Sequence, residues 1–307
     1  MRTVALGTKG LHVVLWTRKL KKSLLKKQKT EGIMTQNERL DYLLESFKAE
    51  APEYRRVRIP EDSMSKQRLL RSLMNIRAAA PASSAVLAVQ DTYLRGRALE
   101  KGIVNVADIP TVRESLGSSH PHAGVLSIWQ GDITRIASDA IVNAANSQML
   151  GCFIPLHNCI DNCIHTYAGI QLREECSRRM NSMRLRFGDG YEQPTAVPML
   201  TDAYNLPARK VIHIVGPIVQ FGLTPDLEKD LADCYRNTLD MCRENALKSV
   251  AFCCISTGVF MFPNKRAAEI AVQTVSEWLN ANPGCIERVI FNVFKDEDKI
   301  HYEELLR

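Results

Sequence analysis

The fold of this chain turns on one stretch, Asp139-Ala140-Ile141-Val142-Asn143-Ala144-Ala145-Asn146-Ser147. Its front is a short apolar, β-branched run that predicts a buried strand over residues 140–143. The small and amide residues behind it predict a loop leaving the strand's C-terminal end. Working outward, runs of the same kind predict strands over 125–129, 195–200, 211–215, 249–254 and 288–294. Between them lie longer segments of helical period, over 158–167, 171–180, 225–245 and 264–279, with a last helix over 297–306. Strands alternating with helices predict an α/β layered fold, its sheet mostly parallel or mixed and covered on both faces. In such folds ligands bind in the loops at the C-terminal ends of the strands.

Upstream the pattern is helical. Leu40, Leu43, Leu44 and Phe47 recur at i, i+3, i+4 and i+7, one apolar helix face. Leu69, Leu73 and Ile76 form a second stripe behind the candidate caps Ser63 and Ser65, and Val86, Val89 and Tyr93 form a third that stops near Gly102. Three or four helices over 34–118 are therefore expected, packed as a small all-helical region or as a cap on the α/β part. The Gly117-Ser-Ser-His-Pro-His-Ala-Gly124 segment reads as a linker, with His120 and His122 solvated rather than metal-bound. The domain organisation expected is a basic arm over 1–33, the helical region over 34–118, and the α/β unit over 119–307.

Composition narrows the function. With 45% hydrophobic and 24% charged residues and a mean hydropathy of -0.16, the 307-residue chain is neither disordered nor membrane-spanning. Its net charge of +6 is local. Residues 1–33 hold nine Lys and Arg against Glu31 alone, a net of +8, so residues 34–307 carry -2. A basic arm without interleaved aromatics, on a folded part that is not basic, argues against a nucleic-acid partner. The arm lacks the order of a secretory signal; it reads as a disordered tail or an upstream start before Met34, with a mitochondrial-type presequence as the alternative. All nine cysteines lie between 152 and 285 with no disulfide framework, which points to a reducing compartment and a cytoplasmic protein.

Two more segments stand beside the opening one: Val211-Ile-His-Ile-Val-Gly216-Pro217, and Cys254-Ile255-Ser256-Thr257-Gly258-Val259-Phe260. A Ser-Thr-Gly loop at a strand end can present successive backbone N–H groups to a diphosphate, and the helix starting near Asn264 adds its N-terminal dipole. Alone, such a loop is more often only a turn. Together with Gly131-Asp132-Ile133-Thr134 and the Asp-Ala-Ile-Val-Asn-Ala-Ala-Asn string, it resembles the macrodomain, a family that binds ADP-ribose. The resemblance covers about residues 125–307 in matching order. It implies a three-layer α/β/α fold with a mixed central sheet. It also implies adenine held by Asp132 and the backbone of Ile133, with Phe294 stacking nearby unless it is a core residue. The diphosphate would lie on Ser256, Thr257, Gly258 and Val259, with Phe260 against the distal ribose and Asn146 on its hydroxyls. Ile160 and Asp161 fall in the substrate loop, Asp161 where the family's catalytic Asp sits.

The departure from the ordinary family is Cys152-Phe-Ile-Pro-Leu-His157-Asn-Cys159, standing where most hydrolytic members are glycine-rich. Cys152, His157 and Cys159 offer two thiolates and an imidazole, a zinc set with a fourth position open to water or substrate; Cys163 is the alternative fourth ligand of a closed site. The variant is similar to zinc-dependent microbial macrodomains that remove ADP-ribose from proteins and that also carry an N-terminal helical extension. The resemblance implies a zinc-dependent, monomeric hydrolase acting on mono-ADP-ribosylated protein at acidic or hydroxyl side chains and releasing ADP-ribose. A non-hydrolytic ADP-ribose reader and an O-acetyl-ADP-ribose deacetylase are the alternatives. His165, His213, Cys253 and Cys254 are read as core residues, and Arg178, Arg179, Arg184 and Arg186 as a solvated helix face.

Overall fold

The protein is described here by a computed structural model covering residues 34–307; the readings of the basic arm lie outside the described residues. The chain opens with three helices, α1 (Gln36–Glu50), α2 (Ser63–Ile76) and α3 (Ser84–Lys101). Each begins at a polar cap. Thr35 and Glu38 form a reciprocal capping box, the Asp62 carboxylate accepts from Ser65 N, and Ser83 accepts from Val86 N. So Ser63 and Ser65 lie inside α2 and Asp62 is its cap. The buried stripe of α2 is Leu70, Leu73 and Met74, not Leu69, Leu73 and Ile76. The helices close a core of their own from Leu40, Leu43, Leu44, Phe47, Leu70, Leu73, Met74, Val89, Tyr93 and Leu94, into which Ile170 from the α/β unit also packs.

The rest is a layered α/β structure. A short strand β1 (Val104–Asn105) pairs in parallel with β3 (Ile136–Ala137), and the brief helix α4 (Val112–Leu116) lies between them in sequence. The main sheet contains β2 (Leu126–Gln130), β4 (Ala140–Ala145), β5 (Met199–Asp202), β6 (Lys210–Val215), β7 (Ser249–Phe252) and β8 (Arg288–Val293), in the order β2-β8-β7-β4-β6-β5. Every pairing is parallel except β5 with β6. Helices α5 (Ile160–Ala168) and α6 (Ile170–Phe187) pack with β4, β5 and the N-terminal helices. Helices α7 (Pro225–Glu244), α8 (Asn264–Ala281) and α9 (Asp296–Leu306) pack against one another and against β2, β6 and β8. The fully buried Val, Ile, Ala and Leu runs of the central strands follow from burial on both faces.

Five of the six strands lie where the sequence puts them, within two residues at either end. The edge strand β5 starts four residues later than expected. The run at 195–197 looks like a strand, but Ala196 sits at φ 61 and Pro198 lacks an N–H, so pairing begins only at Met199. Helix α6 runs past Met180 to Phe187, its last turns carrying the exposed Leu185 and Phe187. The 117–124 segment is a packed turn rather than a free linker. Ala123 is in the main core, and His120 and His122 contact Ser276 and Asn280 of α8.

Candidate functional site

Because β2, β4, β6, β7 and β8 are parallel, the segments C-terminal to them share one edge of the sheet. That edge brings together Asp132 after β2, Asn146 after β4, Gly216 after β6, the 254–262 loop after β7 and Phe294 after β8.

The loop after β7 is held by few bonds. Phe262 N donates to Ser256 O, Met261 N to Gly258 O, and Thr257 Oγ1 to Cys254 O, while Val219 N donates to Phe260 O. Among the described residues, the N–H groups of Thr257, Gly258, Val259 and Phe260 donate to no group of the chain. Ser256 and Met261 adopt left-handed conformations at φ 65 and φ 57, which costs strain in a non-glycine residue. Ser256 itself is buried, and among the described residues its Oγ has no partner. The loop lies so close to β6 that a Cβ on Gly216 would stand 2.1 Å from Ser256 Oγ and 2.8 Å from Ile255 Cγ2. Gly258 and Val259 are exposed, and Pro263, the residue before α8, makes no side-chain cap, so the first amides of the helix lack a capping side chain. Unpaired donors beside a helix N-terminus make an anion-binding concavity.

At the β2 end, Asp132 caps the turn Ile133–Arg135: its Oδ1 accepts from Thr134 N at 3.0 Å and from Thr134 Oγ1 at 2.6 Å. Its Oδ2 pairs with Lys101 Nζ at 2.6 Å. Burial pushes the carboxyl upward, but the bonds from Lys101 and Thr134 outweigh it and hold the group below its usual value. Ile133 is buried. Phe294 is 78% exposed beyond β8, so it is not a core residue and its ring is free to stack.

The loop between β4 and α5 carries the Cys-His-Cys set. Cys152, His157 and Cys159 are each half-buried, and their ligand atoms lie within 4.8 Å of one another. Cys152 Sγ and His157 Nδ1 are 3.6 Å apart. Cys159 caps α5, its Sγ accepting from Asn162 N at 3.4 Å, where the helix dipole favours a thiolate. Burial and the neighbouring Cys152 push the Cys159 thiol up to about 12 without a cation, although the Asn162 bond works the other way. A divalent cation would reverse that shift. The set therefore fits a soft divalent metal. Cys163 is outside the group, its Sγ 3.6 Å from Arg71 Nη2.

Beside the set, Asn146 Nδ2 donates to Gly151 O at 3.3 Å and to Asp161 Oδ2 at 3.4 Å. Asp161, in the first turn of α5, accepts from Asn143 Nδ2 at 2.8 Å through Oδ1 and is only 5% exposed. Burial pushes its carboxyl up to about 6 against the Asn143 bond. Ile160 is half-buried at the same helix start. The loop after β7, Asn146, Asp161 and the Cys-His-Cys set thus lie at one edge of the sheet.

The family pattern described as Macro domain matches residues 142–271. A Protein-ADP-ribose hydrolase of Treponema medium is 45% identical over 273 residues, 89% of this chain and 100% of that protein. The chain belongs to the macrodomain family. A Protein-ADP-ribose hydrolase of Staphylococcus aureus strain Mu50 is 39% identical over 90% of this chain and 98% of its own length. Among solved structures, the Trypanosoma brucei macrodomain in complex with ADP-ribose superposes with a TM-score of 0.57 at 29% identity, covering 77% of this chain and 95% of that one. An Oceanobacillus iheyensis macrodomain mutant with ADPR gives 0.51 at 39% identity, over 58% of this chain and 90% of that one.

This macrodomain has a feature that the sequence reading missed, the hold of the helical region on the Cys-His-Cys loop. From α2, Arg71 Nη2 donates to His157 O at 2.7 Å and to Asn162 Oδ1 at 2.8 Å. Asn75, also on α2 and buried, accepts from Leu156 N at 3.0 Å and donates to Thr166 Oγ1 at 2.9 Å. From α6, Arg173 Nε donates to Leu150 O at 2.7 Å, and its Nη1 reaches the carbonyls of Met74 and Asn75 at the end of α2. Lys101, at the end of α3, ties the helical region to Asp132 and lies 3.5 Å from the Tyr167 ring centroid. The one trace in the sequence is Arg71 and Asn75 standing four apart, on a helix face beside the apolar stripe.

Proposed function

We propose that this macrodomain is a zinc-dependent hydrolase that removes mono-ADP-ribose from modified protein side chains through an acidic or hydroxyl linkage and releases ADP-ribose. The observation that carries the reading is the convergence of Cys152, His157 and Cys159 with Asn146 and Asp161 at the edge that presents the open amides of residues 257–260. The names of the Treponema and Staphylococcus relatives support the removal of ADP-ribose from protein, and the ligand of the Trypanosoma structure supports ADP-ribose binding.

In this reading the 256–260 loop holds the diphosphate with amide N–H groups that have no other partner, and Asp132 orients the adenine through its amino group. Phe294 lies over the base and Phe260 against the distal ribose. Asn146 orients the ribose hydroxyls, and Asp161 beside it is the residue placed to accept a proton. Zinc on Cys152, His157 and Cys159 would supply Lewis acidity next to the distal ribose, weaker than at a three-histidine site because two thiolates offset its charge. The test is ADP-ribose release from proteins modified on Asp/Glu, Ser or Arg, before and after chelation, with bound metal measured. Release that depends on zinc and is confined to the acidic or hydroxyl linkages is expected. Full activity in metal-free protein overturns the zinc role, binding without release makes the protein a reader, and release only from Arg overturns the linkage.

A further inference from the structure

On the face of the sheet covered by α5 and α6 lies a buried polar cluster to which the proposed function assigns no role. His165, Cys176 and His213 bring their ligand atoms within 4.8 Å of one another. The hydrogen bonds around His213 decide against a second metal there. Asn143 and His213 are cross-strand partners on β4 and β6, both fully buried. Asn143 Nδ2 lies 2.8 Å from Asp161 Oδ1 and 3.0 Å from His213 Nδ1. An amide nitrogen carries two hydrogens, one for each acceptor. Turning the amide over would set its oxygen against the Asp161 carboxylate, so the carboxylate fixes the orientation. His213 Nδ1 is then an acceptor, and the proton of the neutral ring is on Nε2, which donates to Thr201 Oγ1 at 3.0 Å. The nitrogen facing Cys176 Sγ, at 3.8 Å, therefore has no lone pair to give a cation.

We propose that His213 is a positioning residue for Asp161, acting through Asn143; the inference rests on the hydrolase reading. Three adjacent strands contribute to one row, from Thr201 on β5 through His213 on β6 and Asn143 on β4 to Asp161 on α5. The row is anchored at its far end, because Thr201 Oγ1 also reaches Val211 O at 3.5 Å. Asn143 is held at one hydrogen by the ring and spends the other on Asp161 Oδ1. Among the described residues its oxygen has no partner, so the bonds to the ring and to the carboxylate together set its rotation. Oδ2 of Asp161 is left on the side of Asn146, 3.4 Å from its Nδ2, which is the side of the metal set and the ribose. Removing the acceptor on the ring leaves Asn143 held only at Asp161 Oδ1, an oxygen that His165 Nε2 also faces at 3.6 Å, so amide and carboxylate are placed less tightly, while the groups proposed to bind adenine and diphosphate stay as they are.

The test uses the full chain, with turnover of an ADP-ribosylated protein and the Kd of ADP-ribose measured in parallel. His213→Leu keeps the volume and removes the acceptor. It is expected to lower kcat about 10–100-fold, the usual size of an outer-shell loss, with the Kd changed by less than about twofold. His213→Asn places an amide oxygen where Nδ1 stood and is expected to recover most of the lost kcat. Nitrogen NMR of the histidine-labelled wild type supplies a readout independent of activity: His213 should be protonated at Nε2 and bare at Nδ1. An active wild type with an unaffected His213→Leu variant overturns the inference alone. So do a Kd that rises in step with the loss of kcat, a His213→Asn variant no better than His213→Leu, or a proton found on Nδ1. A wild type that releases no ADP-ribose from any modified protein sinks the hydrolase reading, and this inference with it.

Discussion

The loop after β7 and the loop after β4 meet at the same sheet edge, yet they are held in opposite ways. Among the described residues the 254–262 loop keeps four successive amides unpaired, turns on two left-handed non-glycine residues and leaves Val259 71% exposed. The 150–160 loop is gripped from outside itself: Arg71 and Asn75 of α2 and Arg173 of α6 bond its backbone at Leu150, Leu156 and His157. The difference comes from the ligand each loop is proposed to hold. An anion is bound by donors that have nothing else to do, so that loop must not satisfy itself. A metal set needs three side chains fixed in mutual geometry, so that loop must be braced, and the brace comes from Arg173 of α6 and from the helical region, whose sequence carries no chemical motif.

Damage to the two loops should separate catalysis from binding. The largest effect should come from Cys152→Ser or from chelation. Loss of several kcal/mol of Lewis-acid stabilisation is expected to lower turnover by roughly 10³-fold, while ADP-ribose affinity, measured by calorimetry, moves little. Next is Arg71→Ala, which leaves every proposed ligand in place and removes only the brace. Activity or zinc affinity should fall by about 10–100-fold, and Arg71→Lys should not restore it, because a point charge cannot span His157 O and Asn162 Oδ1. An Arg71→Ala enzyme with wild-type turnover would remove the brace from the comparison.

Gly216→Ala strikes the other loop. The new Cβ must displace Ser256, and overpacking of about 1–3 kcal/mol should appear as a loss of ADP-ribose affinity of roughly tenfold or more, with zinc content unchanged. The smallest effect is expected from Lys101→Met. Asp132 is held below its usual value partly by Lys101, so the pair stabilises the fold above the carboxyl's unfolded value near pH 4. That contribution is lost as pH falls through the lower folded value. The variant should therefore be less stable than wild type at neutral pH, by at most about 1 kcal/mol, and the gap should close in acid. Denaturant midpoints at several pH values would show it.

Much of the α/β unit was legible because its signals are local. A parallel strand buried on both faces is a continuous apolar run, and a site at strand ends leaves its residues next to those runs, as with Asn146, Ser256 and Thr257. Where local signals conflicted, the reading slipped: Pro198 and the left-handed Ala196 moved β5, and Asp62 rather than a serine caps α2. The brace was not legible at all. Arg71 and His157 are 86 positions apart, and neither residue type in its own segment announces the other. His213 looked like a core residue and is one, yet its partners could be named only once β4, β5 and β6 stood side by side.

The open amides of residues 257–260 also bear on how the protein behaves in deuterated water. Among the described residues these groups have no acceptor and so no bond to slow their exchange, and in the free protein they should label almost at once, unlike the strand amides around them. A diphosphate seated on them gives each a bond to break. Protection confined to this short peptide would then report occupancy directly, with no chromophore and no turnover, and would do so equally in a variant whose metal loop has been disabled.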